Sequence, residues 1–301
     1  MATVTTRDTA TLDREAVRRR GRRPRVRTFG RVRLNPLGAL GGLIWLLIVV
    51  VPLYWIVVTS LRNQAGFFAT NPLALPTDPT FDNFKLVLQS GFFRYLANST
   101  IVTLAAVVLT IAVSLMAAYA IVRGTSRSLQ VTFSLFLLGL AIPLQATIIP
   151  IYYIITRLRL YDTLTALVLP SVAFAIPLTV IILATFLRDV PRELFEAMRL
   201  DGAGDWRMLW SLALPLTRPA VITVAVYDAL QVWNGFLFPL ILTQSAERRV
   251  LPLALWTFQG EFTINVPAIL AAVILSTLPI LTLYVIGRRY LVSGLTAGFS
   301  K

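Results

Sequence analysis

Six long stretches of this chain carry almost no charge, and they limit its fold more than any other feature. Leu34 to Leu61, Tyr95 to Val122, Ser128 to Thr156, Thr163 to Leu187 and Phe262 to Gly287 contain no Asp, Glu, Lys or Arg. Pro219 to Ala246 is interrupted only by Asp228. Each run exceeds the ~20 residues that carry a helix across the hydrocarbon core of a bilayer. Long buried helices in a large soluble protein are the competing reading, and six such runs in 301 residues leave it little room. The chain is 56% hydrophobic and 14% charged, whereas about a quarter of a soluble domain is charged. The fold class is therefore all-α: a polytopic membrane protein with six transmembrane helices.

A net charge of +14 invites a nucleic-acid reading, which the placement of the charges argues against. Eleven arginines precede residue 34, in a polar segment over residues 1–34 that reads as a disordered tail. With six spans and this tail inside, 21 of the 28 basic residues fall on the cytoplasmic side. Both termini are then cytoplasmic by the positive-inside rule, and the tail meets anionic membrane lipid; no nucleic-acid partner is expected. The chain has no Cys and no His, which excludes thiol or imidazole catalysis, thiolate metal sites and disulfides. Its two lysines, Lys85 and Lys301, sit in no phosphate-cradling Gly-rich context. The segment ahead of the first apolar run does not read as a cleavable signal peptide.

Prolines recur within the apolar runs, at Pro52, Pro143, Pro150, Pro170 and Pro177 among others. Each bends a membrane helix where neighbours or water satisfy the freed carbonyl. Together they suit a bundle around a cavity. Between the first two spans, Phe81, Phe84, Leu86, Val87 and Leu88 are expected to form a short helix at the membrane surface. The halves of the chain show no matched broken segments of the kind inverted-repeat secondary transporters carry.

Arg188 to Pro219 is a charged island, holding five of the fourteen acids and five arginines. Pro191 and Glu193 suit the first turn of a helix. Gly202 and Gly204 end it, and a second short helix is expected from about Asp205 to Leu212. Leu194, Phe195 and Met198 fall on one side of the first helix, with Arg192, Glu196 and Arg199 around the rest. An ordinary solvated loop is the default for such a run. A short rigid two-helix element between two spans is instead suited to pressing on another protein.

The spacing within this island resembles a known signature. Glu196-Ala197-Met198, then Gly202, then nine residues and Leu212-Ala213-Leu214-Pro215, is similar to the E-A-A-x-x-x-G-(nine)-I-x-L-P motif of permease subunits of ABC importers. Met198 and Leu212 depart from it and keep apolar side chains. Val232 to Leu240 resembles the W-N-x-F-x-x-P-L segment of carbohydrate permeases. The segment Ser293 to Gly298 resembles their G-L-T-A-G tail. The resemblance runs from about residue 35 to the end and points to the carbohydrate-uptake branch (family 1), to the subunit like the smaller permease of the maltose importer.

That resemblance implies a type I ABC importer permease fold over 35–301, with the loop 188–219 coupling it to an ATPase. Glu196, Ala197, Met198, Asp201, Gly202 and Ala203 would lie in or beside the coupling helix. The tail Gly294, Leu295, Thr296, Ala297 and Gly298 would approach the same ATPase dimer. Gln259, Gly260 and Glu261 would face an external sugar-binding protein. The chain would pair with a second, non-identical permease in a bacterial inner membrane. It would not itself be an enzyme: it would bind no cofactor, with ATP and Mg on the partner ATPase.

Asp228 is the one acid inside a span, so it should face protein or water. Asp228, Gln231 and Gly235 make one stripe at helical spacing. Tyr227, Trp233 and Asn234 complete a set of amide, carboxylate and aromatic groups of the kind a sugar site uses. The alternative is that Asp228 bonds a neighbouring helix and Trp233 packs at an interface. Gln145, Tyr152 and Tyr153 are weaker candidates. A phosphate-bearing solute should need arginines in the spans, and none is there; an ion-coupled transporter with Asp228 as proton carrier lacks further acids.

Overall fold

The computed structural model describes residues 35–69, 71–258 and 264–297. By its internal contacts the chain separates into residues 1–51 and residues 52–301. Residues 36–51 belong to the first helix, α1 (Pro36–Ser60), and are apolar on every side. That all-round pattern is what hydrocarbon, rather than a water interface, selects.

The unit from Pro52 onward is a bundle of helices with short connections. After α1 come the short helices α2 (Gln64–Ala69) and α3 (Asp82–Gln89), so the helix expected around Phe84 to Leu88 forms. The long helix α4 (Phe92–Arg123) packs most extensively on α7 (Leu164–Arg188). Their shared clusters include Ala118 and Ala184 at one level and Ala106 and Ala166 at another, all essentially fully buried. Between membrane helices there is no hydrophobic difference to exploit, so small residues that let backbones approach closely carry the packing.

The third apolar run is not one bent rod. It forms α5 (Arg127–Gly139) and, after a 3-10 turn at Leu144–Thr147, α6 (Ile148–Arg157). The two halves meet at 101°. Pro143 holds an extended backbone (φ −71°, ψ 129°), and lacking an N–H it cannot continue the ladder. At the end of α5, a Cβ on Gly139 would lie 3.2 Å from Pro177, so glycine permits α5 to close on α7 there.

The fifth run also departs from expectation. The helix expected over Asp205 to Leu212 is not separate: α8 (Arg192–Leu200) is followed by α9 (Asp205–Met208), a π-helical turn (Leu209–Ala213) and α10 (Leu214–Trp233) in one 29-residue rod. The wide turn lies just ahead of Pro215, whose missing N–H already interrupts the regular ladder. The rod stops at Trp233 rather than running to Ala246. Asn234, Gly235 and Phe236 break it before α11 (Leu237–Leu242). After α12 (Leu251–Ala254), α13 (Val266–Ala297) closes the chain. Among the described residues five helices are long and apolar enough to cross a membrane, six if the bent pair α5–α6 counts as one span.

At the end of the bundle remote from the charged island, buried amides tie the connections together. Asn83 donates to the carbonyls of Ser60 and Arg62 at 2.8 and 2.7 Å, closing the end of α1. The Arg62 guanidinium reaches the carbonyls of Asn71 and Ala74. Asn98 on α4 donates to the carbonyls of Glu247 and Arg249, each at 2.8 Å. The next residue, Ser99, accepts from the Leu251 amide at 2.8 Å. Asp162, at φ 60°, accepts from the amides of Gln244 and Ser245 at 2.9 and 3.1 Å. Burial alone would raise its carboxyl pKa, but those two amides, the Ser245 hydroxyl and nearby Arg248 outweigh it and hold the group below the usual carboxylate range.

Candidate functional site

Two places in the fold collect the chemistry: the charged loop at one end of the bundle and a cavity inside it. In the loop, α8 ends in a double backbone bond. The Ala203 amide donates to the Met198 carbonyl at 2.9 Å and the Gly202 amide to the Arg199 carbonyl at 3.0 Å, with Gly202 at φ +79°. This is the glycine-terminated Schellman ending, and it explains why glycine sits there: the left-handed conformation disfavours any Cβ. Arg199 then pairs with Asp205 at 2.7 Å, and the Tyr119 hydroxyl donates to the same carboxylate oxygen at 3.3 Å.

Phe195 fastens the loop to the bundle. It is 1% exposed, its ring centroid 6.2 Å from that of Tyr119, and the Arg123 guanidinium lies 4.2 Å over its face. Arg188 covers Phe133 in the same way at 4.9 Å, joining α7 to α5. The outcome for the sequence-identified loop residues is divided. Glu196, Ala197, Asp201 and Gly202 are exposed on the outer side. Met198 and Ala203 are not: they pack inward on the cluster around Phe195 and hold the loop in place. Leu194 turns outward at 42% exposure, away from the side it was expected to share with Phe195. Leu200 and Trp206, which sequence reasoning passed over, are exposed at 89% and 62%.

The cavity has a volume of about 380 Å³ and lies between α4, α7, α10 and α11. Ser99 and Thr103 line it from α4, Ser171 and Phe174 from α7, Tyr227, Asp228, Gln231 and Trp233 from α10, and Phe236 and Phe238 from the break and α11. The stripe expected from Asp228, Gln231 and Gly235 is on its wall. Asp228 is 1% exposed and accepts from the Thr179 hydroxyl at 3.0 Å, an interhelical bond from α10 to α7. Trp233 is buried, its indole N–H donating to the Ser276 carbonyl at 3.3 Å. Tyr227 and Gln231 are the accessible members.

Four candidates stand apart from the cavity. Asn234 folds back, its amide donating to the Leu230 carbonyl at 2.8 Å, and is absent from the wall. Tyr152 stacks edge-on against Tyr161, and the Tyr153 hydroxyl accepts from Arg157 at 3.0 Å. Gln145, in the 3-10 turn, is exposed. Gln259, Gly260, Glu261 and Gly298 lie outside the described residues, as does the tail over 1–34; for residues 294–297 only the helical backbone is described.

Comparison with known proteins settles the family. The model for the binding-protein-dependent transport system inner membrane component matches residues 110–296, a span that contains both the loop and the cavity's α7, α10 and α11 walls. The chain belongs to this family. The permease is 41% identical over 258 residues to a putative ABC transporter permease protein of Caldicellulosiruptor, covering 86% of this chain and 94% of the relative. It is 33% identical over 254 residues to the diacetylchitobiose uptake system permease DasC of Streptomyces coelicolor, covering 84% and 92%. In fold it is similar to a chain of a bacterial ABC transporter that imports the acidic polysaccharide alginate, with a TM-score of 0.74 and 22% identity over 84% of this chain and 95% of the other. As a permease subunit of this family it is not an enzyme; the ATPase of such a transporter is a separate subunit.

Proposed function

We propose that this permease, with a second and non-identical permease, forms the path by which an ATP-driven importer moves a disaccharide or oligosaccharide across a bacterial inner membrane. Both termini and the loop from Arg188 to Pro219 face the cytoplasm. An external binding protein delivers the sugar on the opposite side. The observation that carries the reading is the loop itself. Phe195 is locked under Tyr119 and Arg123, while Glu196, Ala197, Leu200 and Asp201 stand outward.

That arrangement is a lever. Closure of two ATPase subunits on ATP pushes the outer side of α8. Because Phe195 fixes α8 to α4, the push tilts the α4–α7–α10 bundle instead of deforming the loop. The cavity then opens toward the loaded binding protein, and hydrolysis returns it to the inward state. Work passes only because nucleotide favours one discrete arrangement over the other.

The sugar assignment draws on relatives named for uptake of diacetylchitobiose, sulfoquinovosyl glycerol and arabinooligosaccharides. The cavity fits that class, with hydroxyls and an amide beside aromatic faces. The test is uptake into vesicles holding this chain, its partner permease and the ATPase, with the binding protein supplied outside. ATP inside the lumen corresponding to the cytoplasm should drive accumulation. Uptake that follows a proton gradient without ATP contradicts the reading.

A further inference from the structure

Asp228 is a carboxylate within a span that has no ion pair among the described residues. Its carboxylate accepts from a neutral hydroxyl, that of Thr179, at 3.0 Å. Such a group is expensive in hydrocarbon, and the structure offers it no cation in return. Bonding two helices does not require it: an amide at the same position could also accept from Thr179. What an amide cannot supply is charge. Among the described residues that line the cavity there is no Lys or Arg, and Asp228 is the only acid. Being 1% exposed, it acts from behind the surface, through a medium of low dielectric where its field is weakly screened.

We propose that Asp228 makes this cavity a charge filter: it passes uncharged and amino sugars and rejects sugars carrying carboxylates, sulfates or phosphates. Asp228 is thus a specificity-determining residue acting through space. Tyr227 and Gln231, the accessible residues one helical turn apart, meet the solute directly. The kind of solute named rests on the sugar-permease reading, but the filter is tested without any sugar.

The chain has no cysteine, so Gln231→Cys gives it a single thiol on the cavity wall. Its rate of modification is measured with the cationic reagent trimethylammonioethyl methanethiosulfonate and with the anionic sulfonatoethyl methanethiosulfonate. The mass of this chain is the readout, so partner thiols do not count. The ratio of the two rates is compared with that of the neutral thiol N-acetylcysteine amide in solution. Any effect of the field on thiol ionisation is common to both reagents and cancels. The proposal expects the cavity thiol to favour the cationic reagent by roughly tenfold over the reference. Asp228→Asn should abolish that preference, and Asp228→Glu should keep it. A ratio equal to the reference in the native background, or an unchanged ratio in Asp228→Asn, overturns the proposal. If Asp228→Asn fails to accumulate, the native and Asp228→Glu ratios still decide. A charge preference found in a chain that proves to carry no sugar would leave the filter standing and remove only the sugar reading.

Discussion

Tyr119 and Phe195 pack ring against ring, their centroids 6.2 Å apart, and so join the last turns of α4 to the short helix α8. Phe195 is the largest fully buried side chain of the loop, and nothing else on α8 reaches as deep. Replacing it with alanine should cost about 3–5 kcal/mol of packing. The expected outcome of Phe195→Ala is an inserted protein whose α8 has come loose. Limited trypsin digestion should then cut at Arg192 and Arg199 far faster than in the native chain. Equal cutting rates would show that α8 is held by something other than this ring pair.

Gly202 and Gly204 separate strain from space. A Cβ meets nothing within 4 Å at either position, yet only Gly202 has positive φ. Gly202→Ala should therefore destabilise by about 1–2 kcal/mol through the left-handed backbone alone. Gly204→Ala should be close to neutral. Thermal unfolding of the two variants side by side checks the contrast.

Asn98 holds the segment after α11 by two bonds to carbonyls 149 and 151 residues away. Asn98→Ala leaves those carbonyls without their amide partner, at a cost of about 1–3 kcal/mol. Hydrogen exchange at the amides of residues 247–251 should accelerate, while exchange within α8 stays as it was.

Asp162 links the turn after α6 to the same segment, and its pH dependence has a definite sign. Its folded pKa is depressed, so the stability it contributes is fully present above its unfolded value of about 3.9 and is lost as pH falls through the lower folded value. Asp162→Ala should melt below the native protein at neutral pH, by an amount corresponding to about 1 kcal/mol. The two melting curves should converge in strongly acid solution. A gap that stays constant down to that range would mean the side chain works by shape and not by charge.

Much of this fold is written in the spacing of charge along the chain. The apolar runs locate the spans, because hydrocarbon tolerates neither charge nor unpaired backbone, and the charged island locates the loop. The glycine at 202 is equally legible, since its place one residue past a helix end calls for positive φ. What the sequence could not resolve depends on long-range partners. A proline such as Pro143 either kinks or breaks a membrane helix according to what packs beside it, here α7 against Gly139. Met198 and Ala203 belong to the loop motif by position but to the core by packing. The ties from Asn98 and Asp162 span 149 and 82 residues, and neither side chain stands out in its local context. For Asp228, periodicity placed it on the cavity stripe, yet its bond to Thr179 lies on another helix, 49 residues away.

The central claim is that α8 bears on an ATP-hydrolysing partner. With no native cysteine in the chain, Glu196→Cys offers one thiol on the outer side of α8 for cross-linking in the assembled transporter. A covalent adduct with the ATPase subunit, its yield changing between nucleotide-free and ATP-bound complexes, is the predicted result. A complex that still imports its solute but gives no adduct with the ATPase from this position in either state would contradict the account.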